Sequence, residues 1–295
     1  MNLNRIQVLV MAGLALVLAP AARAVEHDES GAEIYVLEKT TPALPYAGDG
    51  NGGNAIRMKS FLKDLPDGYK MRVRFVTRAP GGSPITYVET LTSINKDGKP
   101  DGTELHFADW YTQPIQVVQY KNGLKDGVER MYRTKQSWNV DAKRMDTIWY
   151  VYAEIPWQNG KLNGTKKTFH ATGQLESEST YQNDVLSGES RSYAEDGKLL
   201  RVARYKGGKK HGDMVDYWPR NGNIQRVVPY DTGQVNGVAR EYYMNGKPKW
   251  ERPFKDNLQH GIEKHYAEDG TVEKTVYWIG GEQVTEEAFK KDYKP

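Results

Sequence analysis

The sequence predicts a mainly β fold: an extended single-layer antiparallel sheet of stacked β-hairpin repeats, with a small α+β cap at its N-terminal end. Three observations carry this prediction. Aromatic residues recur at Tyr120, Trp157, Tyr181, Tyr205, Tyr230, Phe254 and Trp278, at intervals of 37, 24, 24, 25, 24 and 24 residues, and a fixed period of this length marks a repeat architecture. Seven residues after each of the first six stands a glycine (Gly127, Gly164, Gly188, Gly212, Gly237, Gly261). Twelve residues after stands a second aromatic (Tyr132, Phe169, Tyr193, Tyr217, Tyr242, Tyr266). Composition agrees: only 38% of the 295 residues are hydrophobic, yet there are 19 Tyr, 7 Trp and 29 Gly, which suits thin aromatic-rich sheet better than a Leu-rich core.

From the start of the chain, residues 1–24 read as a secretory signal peptide. Arg5 supplies positive charge, Ile6 to Ala19 form an apolar run, Pro20 breaks it, and Ala22-Arg23-Ala24 offers a cleavage site. The run of 14 residues is shorter than the roughly 20 that span a bilayer. Without that leader the chain keeps 39 basic against 38 acidic side chains, which gives nucleic acid no electrostatic reason to bind. The chain has no Cys, so export brings neither a disulfide nor a lipidated thiol. The expected location is the periplasm, as a soluble protein.

Residues 25–93 form the cap region. They contain a strand at Ile34–Leu37, a Pro/Gly-rich linker at Pro42–Asn54, a helical stretch at Ala55–Leu65, and strands at Tyr69–Thr77 and Ile85–Thr92. The array runs over residues 94–284. It opens on a degenerate unit, Asn95-Lys96-Asp97-Gly98 followed by Gly102 and Phe107. In the complete units a second glycine (Gly173, Gly197, Gly222, Gly246, Gly270) closes a turn whose residues adopt positive φ cheaply. Period-2 alternation then puts Leu199, Ala203 and Tyr205 on one face, as it does Ile224, Val228 and Tyr230, and Val272, Val276 and Trp278. The 37-residue interval is one period plus 13 extra residues within 133–156. Residues 285–295 form a C-terminal cap, with a short amphipathic helix over Thr285–Tyr293 that covers the last sheet edge.

The segments Tyr205 to Tyr217, with Gly208 and Gly212, and Tyr230 to Tyr242, with Gly233 and Gly237, carry the pattern Tyr-x-x-Gly followed by Gly-x-x-x-x-Tyr. This pattern resembles the MORN-repeat variant of YwqK-type antitoxin-like proteins, and the resemblance extends over somewhat more than half of the chain. Asp184 and Asn257 depart from it where neighbouring units have glycine, and Pro248 falls in a strand; these departures are expected to weaken single turns. The resemblance implies a non-enzymatic, exported immunity or antitoxin-like protein that binds a protein partner, a secreted toxin or effector such as a phospholipase. The name of related eukaryotic repeats implies the alternative, a scaffold for anionic lipid headgroups.

No catalytic, cofactor or metal site is expected. His211 and His260 share a column with Asp126, Asn163, Ser187 and Asn236, where short polar residues satisfy turn backbone groups. His27, His106, His170 and His265 have no partners at metal-ligand spacing. Asp49-Gly50-Asn51-Gly52-Gly53 lacks a third acidic ligand and reaches Ser60 where a calcium loop needs Glu. Acidic residues read as scattered over turns and exposed strand faces. Two features are candidates for binding a partner. Ten residues into each unit stand Arg130, Lys167, Arg191, Val215, Arg240 and Lys264, on the face of the aromatic two residues on. That ladder either receives carboxylates or phosphates or covers the rings with its stems while its charges reach water. The insertion carries Trp138, Arg144, Trp149, Tyr150 and Tyr152, and is either a projecting epitope or a longer hairpin packed on its neighbours.

Overall fold

The computed structural model describes residues 23–27, 33–38, 61–78, 85–108 and 113–294. The leader, apart from Arg23 and Ala24, the linker Pro42–Asn54 with its Asp49–Gly53 loop, and the first part of the Ala55–Leu65 stretch lie outside the described residues. The chain divides into two compact units, Met1–Val151 with Pro156–Lys161, and Tyr152–Ile155 with Leu162–Pro295.

In the first unit each strand pairs antiparallel with the next. Tyr35 lies opposite Val73, Val73 opposite Leu91, Leu91 opposite Leu105, Glu104 opposite Val118 and Val117 opposite Arg130. Alternation along Lys70–Arg78 sends Met71, Val73 and Phe75 to a buried face, where they join Tyr35, Leu37, Val88 and Leu91. Residues 61–63 are helical, and Leu62 and Leu65 belong to the same buried cluster. Tyr35 meets Phe75 edge to face, with ring centroids 5.4 Å apart. The cluster buries Tyr35, Met71 and Val73 almost completely.

The second unit is the regular part of the array. Its register pairs Gly164 with Tyr181, Gly188 with Tyr205, Gly212 with Tyr230, Gly237 with Phe254 and Gly261 with Trp278. The ring that opens each unit therefore faces a residue without a side chain. Each second strand also carries a β-bulge, which the period-2 count misses. Ser192 pairs with Arg201 but Tyr193 pairs with Leu199, and the same step recurs at Asp216/Tyr217 and His265/Tyr266. One extra residue reverses the faces beyond it. Leu199, Ile224 and Val272 thus lie opposite to Ala203, Val228 and Val276, correcting the expected stripe. Ala203 and Val276 are buried, whereas Ile224 is 41% and Val272 54% exposed.

At Asp184 and Asn257, where neighbouring units have glycine, a side-chain hydrogen bond accompanies the positive φ. Asp184 and Asn257 both hold φ 69°, and each side chain accepts a backbone N–H of the preceding unit's turn: Asp184 Oδ1 from Leu162 and Asn257 Oδ1 from Val235, both at 2.7 Å. Pro248 opens the strand Pro248–Lys255, a position that loses no ladder hydrogen bond.

The chain closes on the helix Glu286–Asp292. Thr285 caps it, its hydroxyl accepting from Ala288 N at 3.2 Å, with Glu286 and Glu287 in the first turn and Lys290 and Lys291 in the last. Phe289 is buried against Tyr277 and stacks on Tyr293 at 4.4 Å. Thr285→Ala is expected to cost about 1 kcal/mol. Amide exchange should quicken in the helix and stay unchanged in the strands before it.

Candidate functional site

The basic ladder is the first candidate, and the register changes its character. Across the second unit Glu154 lies opposite Lys167, Lys167 opposite Glu178, and Glu178 opposite Arg191. Arg191 lies opposite Val202, Val202 opposite Val215, and Val215 opposite Val227. Val227 then lies opposite Arg240, Arg240 opposite Glu251, and Glu251 opposite Lys264. Directly paired residues share a face, so the row reads Lys, Glu, Arg, Val, Val, Val, Arg, Glu, Lys from 167 to 264. It is nearly mirror-symmetric about Val215. The expected strip of cations is instead an alternation of charges around an apolar centre.

Each inner arginine is tied to its acid. Arg191 Nη1 donates to Glu178 at 3.2 Å and its Nη2 to Glu189, while Arg240 Nε donates to Glu251 at 2.8 Å. Tyr193 and Tyr266 donate to the same two acids, at 3.0 and 2.9 Å. The hydrogen bond from Arg240, helped by Tyr266, holds the Glu251 carboxyl below its usual range against the effect of burial. The glutamate partners, Glu178 first, hold the Arg191 guanidinium above its ordinary value. Arg130 lies in the first unit, opposite Val117. Beside the row, Tyr193 pairs with Leu199, Tyr217 with Ile224 and Tyr266 with Val272, so the bulges that expose Ile224 and Val272 extend the apolar strip.

Each compact unit also buries acids that the sequence reading placed at the surface. Glu129, Asp216 and Glu263 are only 3%, 7% and 4% exposed. Glu263 accepts from Arg252 Nε at 2.7 Å, Trp278 Nε1 at 2.8 Å and Gln259 Nε2 at 3.1 Å, and bonds His265 Nε2 at 2.6 Å. Glu129 accepts from Lys125 and Trp157, both at 2.7 Å, and from Gln116. Glu104 does the same with Thr92 at 2.7 Å, His106 at 2.8 Å and Tyr120 at 3.3 Å. All three glutamates stand nine residues into a unit, two beyond the glycine that faces a ring. That even spacing was the available signal for their face.

Burial pushes the Glu104 and Glu263 carboxyls up, but their hydrogen bonds outweigh it and hold both below the usual range. Arg201 and Arg226 do so for Asp216. Tyr120 is pushed up to about 12 by burial and then by Glu104. Depressed folded-state pKa values contribute stability above the unfolded values, near 4, that is lost as pH falls through the folded ones. The thermal midpoint is therefore expected to hold from neutral pH to about 5 and to fall steeply below about 4. A midpoint that rises on acidification would contradict this.

In the turn column Asp126 and His260 bond backbone groups as expected, while His211 faces a side-chain carboxylate instead. Asp126 accepts from Asn159 N at 3.1 Å, His211 Nδ1 lies 3.2 Å from Asp231, and His260 Nδ1 accepts from Gly280 N at 3.2 Å. Among the described residues no group of three or more His, Cys, Asp or Glu is placed to hold a metal.

The insertion is a long hairpin, Gly127–Asn139 and Arg144–Gln158. Its tip is tied by Asn139, which accepts from Ala142 N at 2.9 Å and donates to Asp146 at 2.6 Å, and by Arg144 Nε, which donates to Asp146 at 2.8 Å. Trp138 and Arg144 are exposed, but Trp149, Tyr150 and Tyr152 are half-buried. The exposed apolar residues beside Trp138 are Val140, Met145 and Ile148, none of which is aromatic enough to stand out in the sequence.

A family model described as the MORN repeat variant matches residues 162–183, 186–206 and 259–279. Each match opens five residues into a unit, at Leu162, Leu186 and Gln259, so the phase read from the aromatics is the phase of that repeat. A comparison with curated proteins finds no match. Among the described residues no helix is long and apolar enough to cross a membrane.

Proposed function

We propose that this chain, built in part from MORN-variant repeats, is a non-enzymatic exported scaffold that binds a protein through the face of Val202, Val215 and Val227. We further propose that the partner is a toxic effector, such as a phospholipase, which it neutralises in the periplasm. The row across that face is the observation that carries the reading. Protein interfaces combine an apolar centre with a polar rim, and here three valines are flanked on both sides by arginine–glutamate pairs held by hydrogen bonds. A second copy of the chain is a poor occupant. A two-fold arrangement that stacks valine on valine sets Arg191 and Arg240, and Glu178 and Glu251, against like charges. The choice of a toxin rests on the resemblance to antitoxin-like proteins and on the leader sequence.

Lipid headgroups are the weaker reading. An anionic membrane attracts unneutralised cations, and here Glu154, Glu178 and Glu251 interleave the ladder. Binding to anionic liposomes that is lost on changing Arg191 and Arg240 to Ala would favour the lipid reading instead.

The test is Val215→Arg. Five of the six units carry Lys or Arg at this position, so the fold accepts it while a charge enters the apolar centre. Pull-down from envelope extract, followed by titration of the captured protein, is expected to show about a 100-fold weaker complex, near 2.7 kcal/mol, at an unchanged thermal midpoint. Equal affinity would overturn the assignment of this face.

A further inference from the structure

On the face opposite Val215, Asp216 sits between two arginines at the bottom of an open groove of about 480 Å³, a volume within the ~300–1,000 Å³ of ligand sites. We propose that this groove binds the carboxylate of a peptide, from an acidic side chain or a chain terminus. Its polar floor is one cross-strand row, Ser192, Arg201, Asp216, Arg226 and Glu241. Arg201 Nε donates to Asp216 Oδ1 at 2.5 Å, and Arg226 donates to Oδ2 through Nε at 3.0 Å and Nη2 at 2.7 Å. The carboxylate is nearly buried, yet the arginine side chains are 50% and 41% exposed. Among the described residues Arg201 uses Nε alone, which leaves both its terminal nitrogens to donate into the groove. Asp216 pins the two guanidinium planes in advance, so little side-chain freedom remains to be lost on binding.

The charge count selects the ligand. Asp216 offsets one of its two arginines, and Glu241 is matched by Lys249 at 2.8 Å, so one positive charge is left over. A carboxylate balances it and accepts two parallel N–H bonds from a guanidinium. A phosphate dianion carries more negative charge than the one positive charge left over can offset. The β-bulge places Leu200 in the wall, with Pro219 nearby, and these apolar surfaces suit the residues that flank a peptide carboxylate. The site lies on the other face from the valine row, so its failure leaves the proposed function standing.

The full chain labelled with ¹⁵N-arginine tests this by following the Nε–H signals of Arg201 and Arg226. Four probes are titrated: an acetylated, amidated pentapeptide with one central glutamate, its glutamine counterpart, that counterpart with a free C-terminal carboxylate, and inorganic phosphate. Saturable shifts are expected with at least one of the two carboxylate peptides, and which one responds identifies the source. The amidated glutamine peptide and phosphate are expected to bind at least tenfold more weakly. Arg201→Gln should weaken binding at least tenfold while Arg226 keeps Asp216 bonded, and Leu200→Asp should do so with both arginines intact. The proposal is overturned if neither carboxylate peptide saturates, if the amidated glutamine peptide or phosphate binds as tightly, or if both variants bind like the wild type.

Discussion

Replacing Glu263 by alanine is expected to lower the unfolding free energy by about 3 kcal/mol. The residue is 4% exposed and meets four donors, Arg252, Gln259, His265 and Trp278. Deleting the carboxylate strands all of them in the sheet. Breaking a buried ion pair costs about 3–5 kcal/mol, and the low end applies because the Arg252 side chain is one-third exposed and can turn to water. Glu263→Gln keeps the shape and one acceptor, so it should lose less. Because repeats contact only their neighbours, protection against amide exchange should fall in Gly261–Tyr266 and Val272–Ile279 and persist in the Lys70–Ile94 strands. Urea unfolding within about 1 kcal/mol of wild type would mean that Arg252 and Trp278 find other partners.

Gly261→Ala is expected to cost about 2–3 kcal/mol. Gly261 has φ +128°, and a Cβ there would stand 2.7 Å from Pro253 Cγ and 3.1 Å from Pro253 Cβ. The proline ring lies on the paired strand and cannot rotate away. Gly270 makes the control: it has φ +97° but nothing within 4 Å of an added Cβ, so Gly270→Ala should cost only the dihedral penalty of about 1 kcal/mol. If the two variants melt alike, the close approach of ring and backbone contributes nothing.

The repeat was legible because its glycines and aromatics act locally. Gly188 must face Tyr205 and the turns must reach positive φ, and both demands leave a residue type at a fixed offset. The C-terminal helix was legible too, as a short amphipathic stretch over Thr285–Tyr293, although its Thr285 cap and the burial of Phe289 were not. What escaped the sequence depends on pairing. A bulge adds one residue without changing composition, so Leu199, Ile224 and Val272 were set on the wrong face. The Arg191 and Arg240 column read as bare charge, since its acids, Glu178 and Glu251, come from the intervening strands and become neighbours only through the register. Glu263 read as a surface acid because three of its four donors, Arg252, Gln259 and Trp278, lie 11, 4 and 15 residues away along the chain. In the insertion, aromatic type stood in for exposure, yet Trp149 and Tyr152 are half-buried while Met145 and Ile148 are exposed.

Hydroxyl-radical footprinting of the complex with the captured partner tests the assignment of the valine face most directly, since each face carries its own tyrosines. Tyr193 and Tyr242 lie on the valine face, and Tyr205 and Tyr230 lie opposite Gly188 and Gly212 on the other. The partner is expected to protect Tyr193 and Tyr242 and to leave Tyr205 and Tyr230 as reactive as in the free chain. Protection confined to Tyr205 and Tyr230, or to Trp138 on the long hairpin, would contradict it.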